Sequence, residues 1–554
     1  MIIDANNSDT PQIINTDICI VGAGAAGIAL AAEFANSNTS VALMESGGFA
    51  IEKKLQDLFD GQVTKGSRHP QTTLYRRRVV GGTTSVWGGR CIPYDDIDFE
   101  RRDYIPFSGW PFPRTEILSY YKRANPICDA GVFDYSAASS VGLENGDMIP
   151  GFSSNVVHTD SIERFSNPTH FGRRYKHLFK TSPNISLFYH ATCTAIKLQE
   201  NSKAVTKLIF RNHAGRSIEI NAKRYVLAMG GLETTRTLLS SNDVMPNGIG
   251  NTYDRLGRFY MCHLALTAAE LRIAPNISNV IYGYEKSTDG IYCRRRISIS
   301  AEAQRRHNTG NLIARLIYPN AANPDHGNGI LSTLFLTRSI LQPEYRGAFS
   351  FNDLLNKSEQ KRIDYTAHLK NIIIDLPQTF SFSHMILRKR FLARRKLPSV
   401  ILRSRTNAYP LDINVEQSPD PSSRITLTND KDAFGARRIH VDWRTNDVDR
   451  HTIRSGLGII RDEFHKSGCG DLVIDEDKLD NYWPVGGHHI GTARMATSPN
   501  EGVVDENCQV HGVSNLYIAS SAVFPTSSHA NPTLTIVALA IRLADYLKYN
   551  INQD

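Results

Sequence analysis

The spacing of apolar positions changes character twice between residues 17 and 47. Residues 17–21 (DICIV) form a short apolar run, residues 25–35 are rich in Ala, and residues 40–44 (SVALM) form a second run. Strand-length runs on either side of a Gly-rich turn and a helix-length segment predict a βαβ unit. Residues 188–230 show strand patterns separated by the turn NHAG (212–215) and end in RYVLAMGG, after which LETTRTLLSS predicts a helix. Residues 424–427 and 439–443 read as strands, 447–464 as an amphipathic helix, NLYIAS as a strand and 533–549 as a long helix. Residues 60–115 are Gly-, Pro- and Arg-rich with weak periodicity, which predicts a long irregular segment of the kind compact enzymes use functionally. Residues 260–415 are the least legible. No internal repeat or low-complexity tract is present.

A βαβ unit opens the chain, and a further strand and helix at the C-terminus belong to the same kind of layer. The expected fold class is therefore α/β, with two interleaved domains.

Composition narrows the class without naming a chemistry. The 554 residues are 41% hydrophobic and 21% charged, which excludes collagen-like, coiled-coil and wholly disordered chains. With 63 Lys+Arg against 55 Asp+Glu, the net charge of +8 is mild and no nucleic-acid partner is expected. No apolar run reaches the roughly 18–20 residues of a spanning helix. The polar start MIIDANNSDTPQ lacks a signal-peptide pattern, so a cytoplasmic location is expected. The eight cysteines are widely spaced, with no CxxC or CxxCH, so neither covalent haem nor an iron–sulfur cluster is expected, and no metal.

Gly22, Gly24 and Gly27 form GxGxxG between the first strand and the helix. The first glycine permits the turn, the second lets a pyrophosphate approach the backbone, and the third lets helix and strand pack closely. Free N–H groups at the helix start, including those around Ala25 and Ala26, then face the phosphates. Glu45, after the second strand, is placed to accept from ribose hydroxyls, which disfavours a 2′-phosphate. This block alone leaves FAD and NAD open.

Several further blocks, in one order, resemble the glucose–methanol–choline (GMC) flavin oxidoreductases. They are the N-terminal unit ending in ESGG (Glu45, Ser46), VVGGTTSVWGGRC (79–91), SGWPFPRTEILSYY (108–121), YVLAMGGLETTRTLLSSN (225–242), HHIGTARM (488–495), GVVDENCQVHGVSNLYIASSAVFP (502–525) and HANPTLTIVALAIRLAD (529–545). Only 260–410 is poorly matched. The resemblance implies a Rossmann-like FAD-binding domain of residues 16–150, 186–262 and 485–550. Residues 151–185 and 263–484 would form a β-sheet substrate domain with a variable insertion. It also implies FAD and oxidation of an alcohol to a carbonyl.

Carried over residue by residue, the resemblance makes His488 the base and Asn531 its partner at the substrate oxygen, an arrangement similar to pyranose oxidase. His529 and His489 are substrate-contact candidates; His489, adjacent on an extended segment, faces the other way. Gly81, Gly82, Thr83, Thr84 and Trp87 would run along the flavin, Cys193 would lie where the backbone meets adenine, and Ser521, Ala522, Pro532 and Thr533 would complete the cofactor site. Some sugar oxidases of the family attach FAD through a histidine just before that tryptophan. Val86 stands there, so non-covalent FAD is expected. Ser520 departs from the acidic residue many members carry.

The resemblance leans toward the sugar- and glycoside-oxidising members, with oxygen or a separate redox partner as electron acceptor. A non-sugar alcohol and a hydroxynitrile lyase-like reaction are the alternatives. The stretch HMILRKRFLARRKLPSVILRSR (384–405) interleaves basic residues with Met385, Ile386, Leu387, Phe391 and Leu392. It reads as a solvated helix with its apolar face on the body, or as a peripheral contact for anionic lipid or a partner.

Overall fold

The structure, a computed structural model, describes residues 1–142, 146–167, 169–338, 364–399, 401–402, 404 and 406–551. The strand Ile13–Val21 turns at Gly22 into the helix Ala25–Glu33 and returns as Val41–Met44. The strand begins earlier than its apolar run suggests because it pairs from Ile13 onward with Ser217–Leu227. Alanine and leucine favour the helix, and Ala26 to Ala31 are all buried.

Among the described residues eight strands form one sheet, in the order Ile2–Asp4, Ile185–Tyr189, Val41–Met44, Ile13–Val21, Ser217–Leu227, Val205–Arg211, Thr192–Leu198. Leu516–Ile518 adds to the far end of Ser217–Leu227, in parallel. The centre is parallel, and the last three strands are an antiparallel meander turning near NHAG. The C-terminal helix Thr533–Ile551 packs on this layer through residues such as Leu534, Val537, Ile541 and Leu547.

A second sheet of ten described strands runs from Gly470–Ile474 through Ala269–Ile273, Ala408–Val415, Leu312–Leu316, Tyr292–Ile299 and Val157–Phe165 to Arg90–Cys91. The helix Asp447–Ser467 covers it with Ile453, Leu457, Ile460 and Phe464. A capping box at Asn446 and Asp449 opens this helix and Gly468, at φ +69°, closes it. Its last turn exceeds the expected end because the cap, not the last apolar residue, sets the boundary.

The loop 526–528 is bound from several segments. The Tyr94 hydroxyl donates to Ser527 O at 2.6 Å, and the Trp110 indole donates to Thr526 Oγ1 at 2.9 Å. Gln417 N donates to Ser527 Oγ at 2.9 Å. Beside it Arg102 holds Glu416 through two bonds of 2.6 and 2.8 Å.

One sequence reading needs correction. Residues 384–405 are not one helix. The helix Leu376–Ile386 passes into a π-helical turn, Leu387–Leu392, and the chain becomes extended at Ala393. Beyond that point Arg394 O and Lys396 N are tied to the Asn167 side chain, and Arg395 reaches Asp129, so the backbone bonds a further helix would use are spent. The apolar side chains do not share one buried face: Leu387 and Leu392 are exposed, and Met385 and Ile386 are half-buried. The Phe391 side chain, Arg403 and Arg405 lie outside the described residues.

Candidate functional site

A cleft at the C-terminal ends of the parallel strands gathers many of the residues singled out by sequence. Its wall contains Gly22, Gly24, Ala25, Ala26, Glu45, Ser46, Gly82, Thr83, Thr84, Trp87, Cys193, His488, His489, Ser521, Pro532 and Thr533. Gly27, Gly81, Ala522, Asn531 and His529 lie outside the wall.

The glycines divide by what a side chain would meet. At Gly22, φ +106°, a Cβ would stand 2.6 Å from Ala228 O, and at Gly27 1.9 Å from Gly22 O. Both serve packing. At Gly24 no atom beyond its chain neighbours lies within 4 Å of that position, so the backbone there is open to the cleft. Gly24 caps the helix Ala25–Glu33 without a side-chain bond, and no acidic residue sits in the first turn, leaving the N-terminal N–H groups to an anion. Glu45 receives Ala23 N at 2.9 Å and Gly47 N at 2.8 Å. Burial raises its carboxyl above the ordinary value. Gly81, φ +102°, donates to Ala23 O at 2.7 Å and closes the second segment onto the first.

Arg76, Arg78 and Glu233 also line the cleft. Glu233 lies 2.5 Å from Arg78, 3.4 Å from Arg76 and 3.5 Å from Arg236. Burial alone would raise Glu233, but Arg78, Arg236 and Arg76 outweigh it and hold the carboxyl at about 2. Both guanidinium groups of Arg76 and Arg78 stack on Phe59, at 4.1 and 4.2 Å. Sequence reasoning passed over this group, although the run Arg76, Arg77, Arg78 just before VVGG was its visible signal.

The histidines are set by an antiparallel crossing of two segments. Met261 pairs with Ile490, and Leu264 with Pro484, which brings His263 to His488 and Tyr260 to His489. His263 Nε2 lies 2.9 Å from Ser527 O, and His263 Nδ1 lies 2.7 Å from His488 Nδ1. A carbonyl oxygen only accepts, so Nε2 of His263 carries its hydrogen. In the neutral ring Nδ1 is then an acceptor, so His488 donates from Nδ1 and keeps its lone pair on Nε2. Both rings are neutral near pH 7. Burial pushes His263 down to about 4. Burial, then His263, His489 and Arg90, hold His488 well below the ordinary value.

The same reasoning orders the neighbouring chain. His69 Nδ1 donates to Pro70 O at 2.8 Å, so its Nε2 accepts from the Tyr260 hydroxyl at 2.7 Å. Tyr260 in turn accepts from His489 Nδ1 at 2.7 Å. His69, Cys262 and His489 offer ligand atoms within 4.8 Å of one another, but the tyrosine hydroxyl takes up both imidazole nitrogens that face it. His489 Nε2 is left as a buried lone pair without a partner. Burial, Arg76 and His69 hold His489 well below its ordinary value.

Asn531 stands immediately before Pro532, and its Oδ1 is a second buried acceptor without a partner. His529 is fully buried; its Nε2 donates to Asp95 at 3.0 Å and its Nδ1 accepts from Arg296 at 3.4 Å. Ala522 is buried in a turn capped by Ser520 Oγ. His263 was missed by sequence reasoning because it lies in the segment that matched nothing, and its partners are Ser527 and His488, far along the chain.

A dinucleotide fits what is present: open space at Gly24, an uncapped helix start, and at the cleft the buried lone pair of His489 Nε2, which costs about 1–3 kcal/mol while unpaired.

The chain is similar to several known proteins. Residues 419–540 match the GMC oxidoreductase family model. The chain is 22% identical to the fructose dehydrogenase large subunit of Gluconobacter japonicus, covering 98% of this chain and 99% of that one. It is 31% identical to a C-glycoside 3-oxidase of Microbacterium trichothecenolyticum over 24% of this chain and 26% of that one. The formate oxidase of Aspergillus oryzae RIB40 shares the fold, with a TM-score of 0.53 at 16% identity over 98% of this chain and 100% of that one.

Proposed function

We propose, on the premise that the chain is a GMC oxidoreductase, that it oxidises a hydroxyl of a sugar, glycoside or related polyol to a carbonyl, with His488 as base and FAD held without a covalent bond. The full-length likeness to a fructose dehydrogenase subunit and the partial likeness to a C-glycoside 3-oxidase support the substrate class. The observation that carries the reading is the bond order Ser527 O, His263, His488, which leaves Nε2 of His488 as a lone pair at the cleft.

In this reading Gly22, Gly24 and the first turn of Ala25–Glu33 hold the pyrophosphate, Glu45 the ribose, and the backbone at Cys193 the adenine. Gly82, Thr83, Thr84, Trp87, Ser521, Pro532 and Thr533, which line the same cleft, would hold the flavin ring system. Bound FAD supplies the two-electron hydride acceptor. Trp87 is fixed by its indole N–H, which donates to Thr169 O at 3.0 Å.

His488 Nε2 takes the hydroxyl proton as the C–H hydride leaves, and the substrate oxygen becomes a carbonyl. A depressed pKa suits this task, since the ring is neutral before the substrate arrives. A positioned base contributes about 10²–10⁴ in rate, or about 3–5 kcal/mol. Asn531 supplies an amide beside the substrate oxygen. Oxygen or a separate redox partner accepts the electrons afterwards.

The test is to denature the purified protein and ask where the flavin goes, then to screen sugars, glycosides and simple alcohols for anaerobic loss of the visible flavin band. FAD free in the supernatant and bleaching by a sugar or glycoside support the reading. Flavin that stays on the polypeptide overturns the non-covalent attachment. Bleaching only by simple alcohols overturns the substrate class.

A further inference from the structure

We infer that the helical hairpin of residues 364–396 is a seat for an anionic lipid surface, holding the enzyme peripherally on a membrane. The helix Tyr365–Ile374 continues into Leu376–Ile386 and the π-helical turn Leu387–Leu392. One face of this element is packed inward: His368 bonds Ser332 Oγ, and Asp375 accepts from Gly329 N. Along another face Tyr365, Leu369, Ile373, Leu376 and Phe380 recur every three or four residues, with Leu387 seven residues further on, and all are exposed, which puts them on one stripe. Ile373 is 73% exposed and Phe380 76%.

Isolated exposed apolar side chains are ordinary, but a continuous ridge marks an interaction surface. Its flanking charge identifies the occupant. Between residues 364 and 396 the sequence has seven Lys and Arg and two acidic residues: Asp375, which is buried, and Asp364, which is exposed and caps the helix by accepting from Ala367 N. Lys370, Arg388, Lys389, Arg394 and Lys396 are exposed. An apolar ridge bordered by cations in excess, with its one exposed carboxylate engaged as a helix cap, matches the boundary between acyl chains and anionic headgroups. Among the described residues no helix is long and apolar enough to cross a membrane, so the contact is a surface one. The hairpin is also tied down. Asn167 bonds Arg394 and Lys396, and Arg395 reaches Asp129 and Phe165 O, so the body follows the seat.

The test is co-sedimentation of the holoenzyme with vesicles of phosphatidylcholine alone and of phosphatidylcholine with phosphatidylglycerol. Sedimentation velocity without lipid is run alongside. The expected result is binding to the anionic vesicles, weakened by salt and at least about tenfold weaker on neutral ones. The double variant Ile373→Glu, Phe380→Glu and the triple variant Lys370→Ser, Arg388→Ser, Lys389→Ser should each lose binding at least about tenfold. Both should keep wild-type turnover and bound FAD, which shows that they fold. Absence of binding to anionic vesicles overturns the proposal, as does binding that survives the double variant. A lipid-free dimer that Ile373→Glu, Phe380→Glu dissociates, without vesicle binding, assigns the ridge to a second copy instead.

Discussion

His263 Nδ1 lies 2.7 Å from His488 Nδ1, and the proton between them belongs to His488. The assignment follows from the Ser527 carbonyl on the far side of His263, 2.9 Å away. That carbonyl is itself fixed by the Tyr94 hydroxyl. The tautomer of His488 is therefore written by a loop that its own segment does not contain.

His263 then acts as a positioning residue. His263→Asn keeps one acceptor for His488 and one donor for Ser527 O, and should retain most of the activity. His263→Leu removes both and frees the His488 ring, lowering kcat by about 10–10²-fold with KM little changed. Steady-state kinetics of the two variants, with FAD content measured on each, decide this. Equal loss in both would reduce His263 to packing.

The pH dependence has a definite sign. His488 works as the neutral ring, and its folded pKa lies below the ordinary 6.5. The kcat/KM profile should stay level through pH 6.5 and fall only on an acid limb below it. An acid limb at or above 6.5 would contradict the environment described for His488.

Stability should follow the same groups. The folded pKa values of His69, His263, His488 and His489 are depressed, so the unfolded chain binds more protons below the unfolded value. Their contribution is complete above pH 6.5 and is lost as pH falls toward the folded values, about 4 for His69 and His263. Asp98 and Asp449, each pushed up to about 7 mainly by burial, act in the opposite sense over pH 4–7. His529 is depressed in the same way, and Glu45 and Asp505 are raised like the two aspartates, so five buried histidines against four carboxyls leave a net loss on acidification. Urea midpoints between pH 7 and 4.5 should decline, and a rise would contradict the balance.

The glycines separate folding from cofactor retention. Gly24→Ala meets no atom beyond its chain neighbours and should fold with near-native melting once stripped of FAD, yet retain FAD poorly. Gly27→Ala drives a Cβ to 1.9 Å from Gly22 O and should destabilise the apoprotein itself, by more than the typical ~1 kcal/mol of a point change. Thermal melts of the apoproteins, with FAD binding measured separately, check the contrast.

Asn531 offers a similar separation. Its Oδ1 is buried without a partner, so Asn531→Leu removes an unpaired acceptor and should leave stability unchanged or raise it. Turnover should fall because the substrate oxygen loses its amide. A variant that loses stability and keeps turnover would make Asn531 structural.

Local signals were the legible ones. Gly22, Gly24, Gly27 and Glu45 sit in a short βαβ whose turn, helix and strand are each written in consecutive residues. His488 and Trp87 were found only because whole blocks resembled a family. His263 was not found, since its importance arises from the pairing of Met261 with Ile490 and of Leu264 with Pro484, which no local pattern announces. The basic stretch was read as one helix because alternating charge and apolarity mimic helical period. The ties of residues 394–396 to Asn167 and Asp129, invisible in the sequence, end the helix at Leu392.

The most direct test of the central claim is the anaerobic rate at which a sugar or glycoside substrate bleaches the bound flavin, in the wild type and in His488→Ala with matched FAD content. The account predicts rapid bleaching in the wild type and a rate about 10²–10⁴ lower in the variant. Near-native bleaching in His488→Ala would contradict it and move the proton acceptor to another group at the cleft, His489 first.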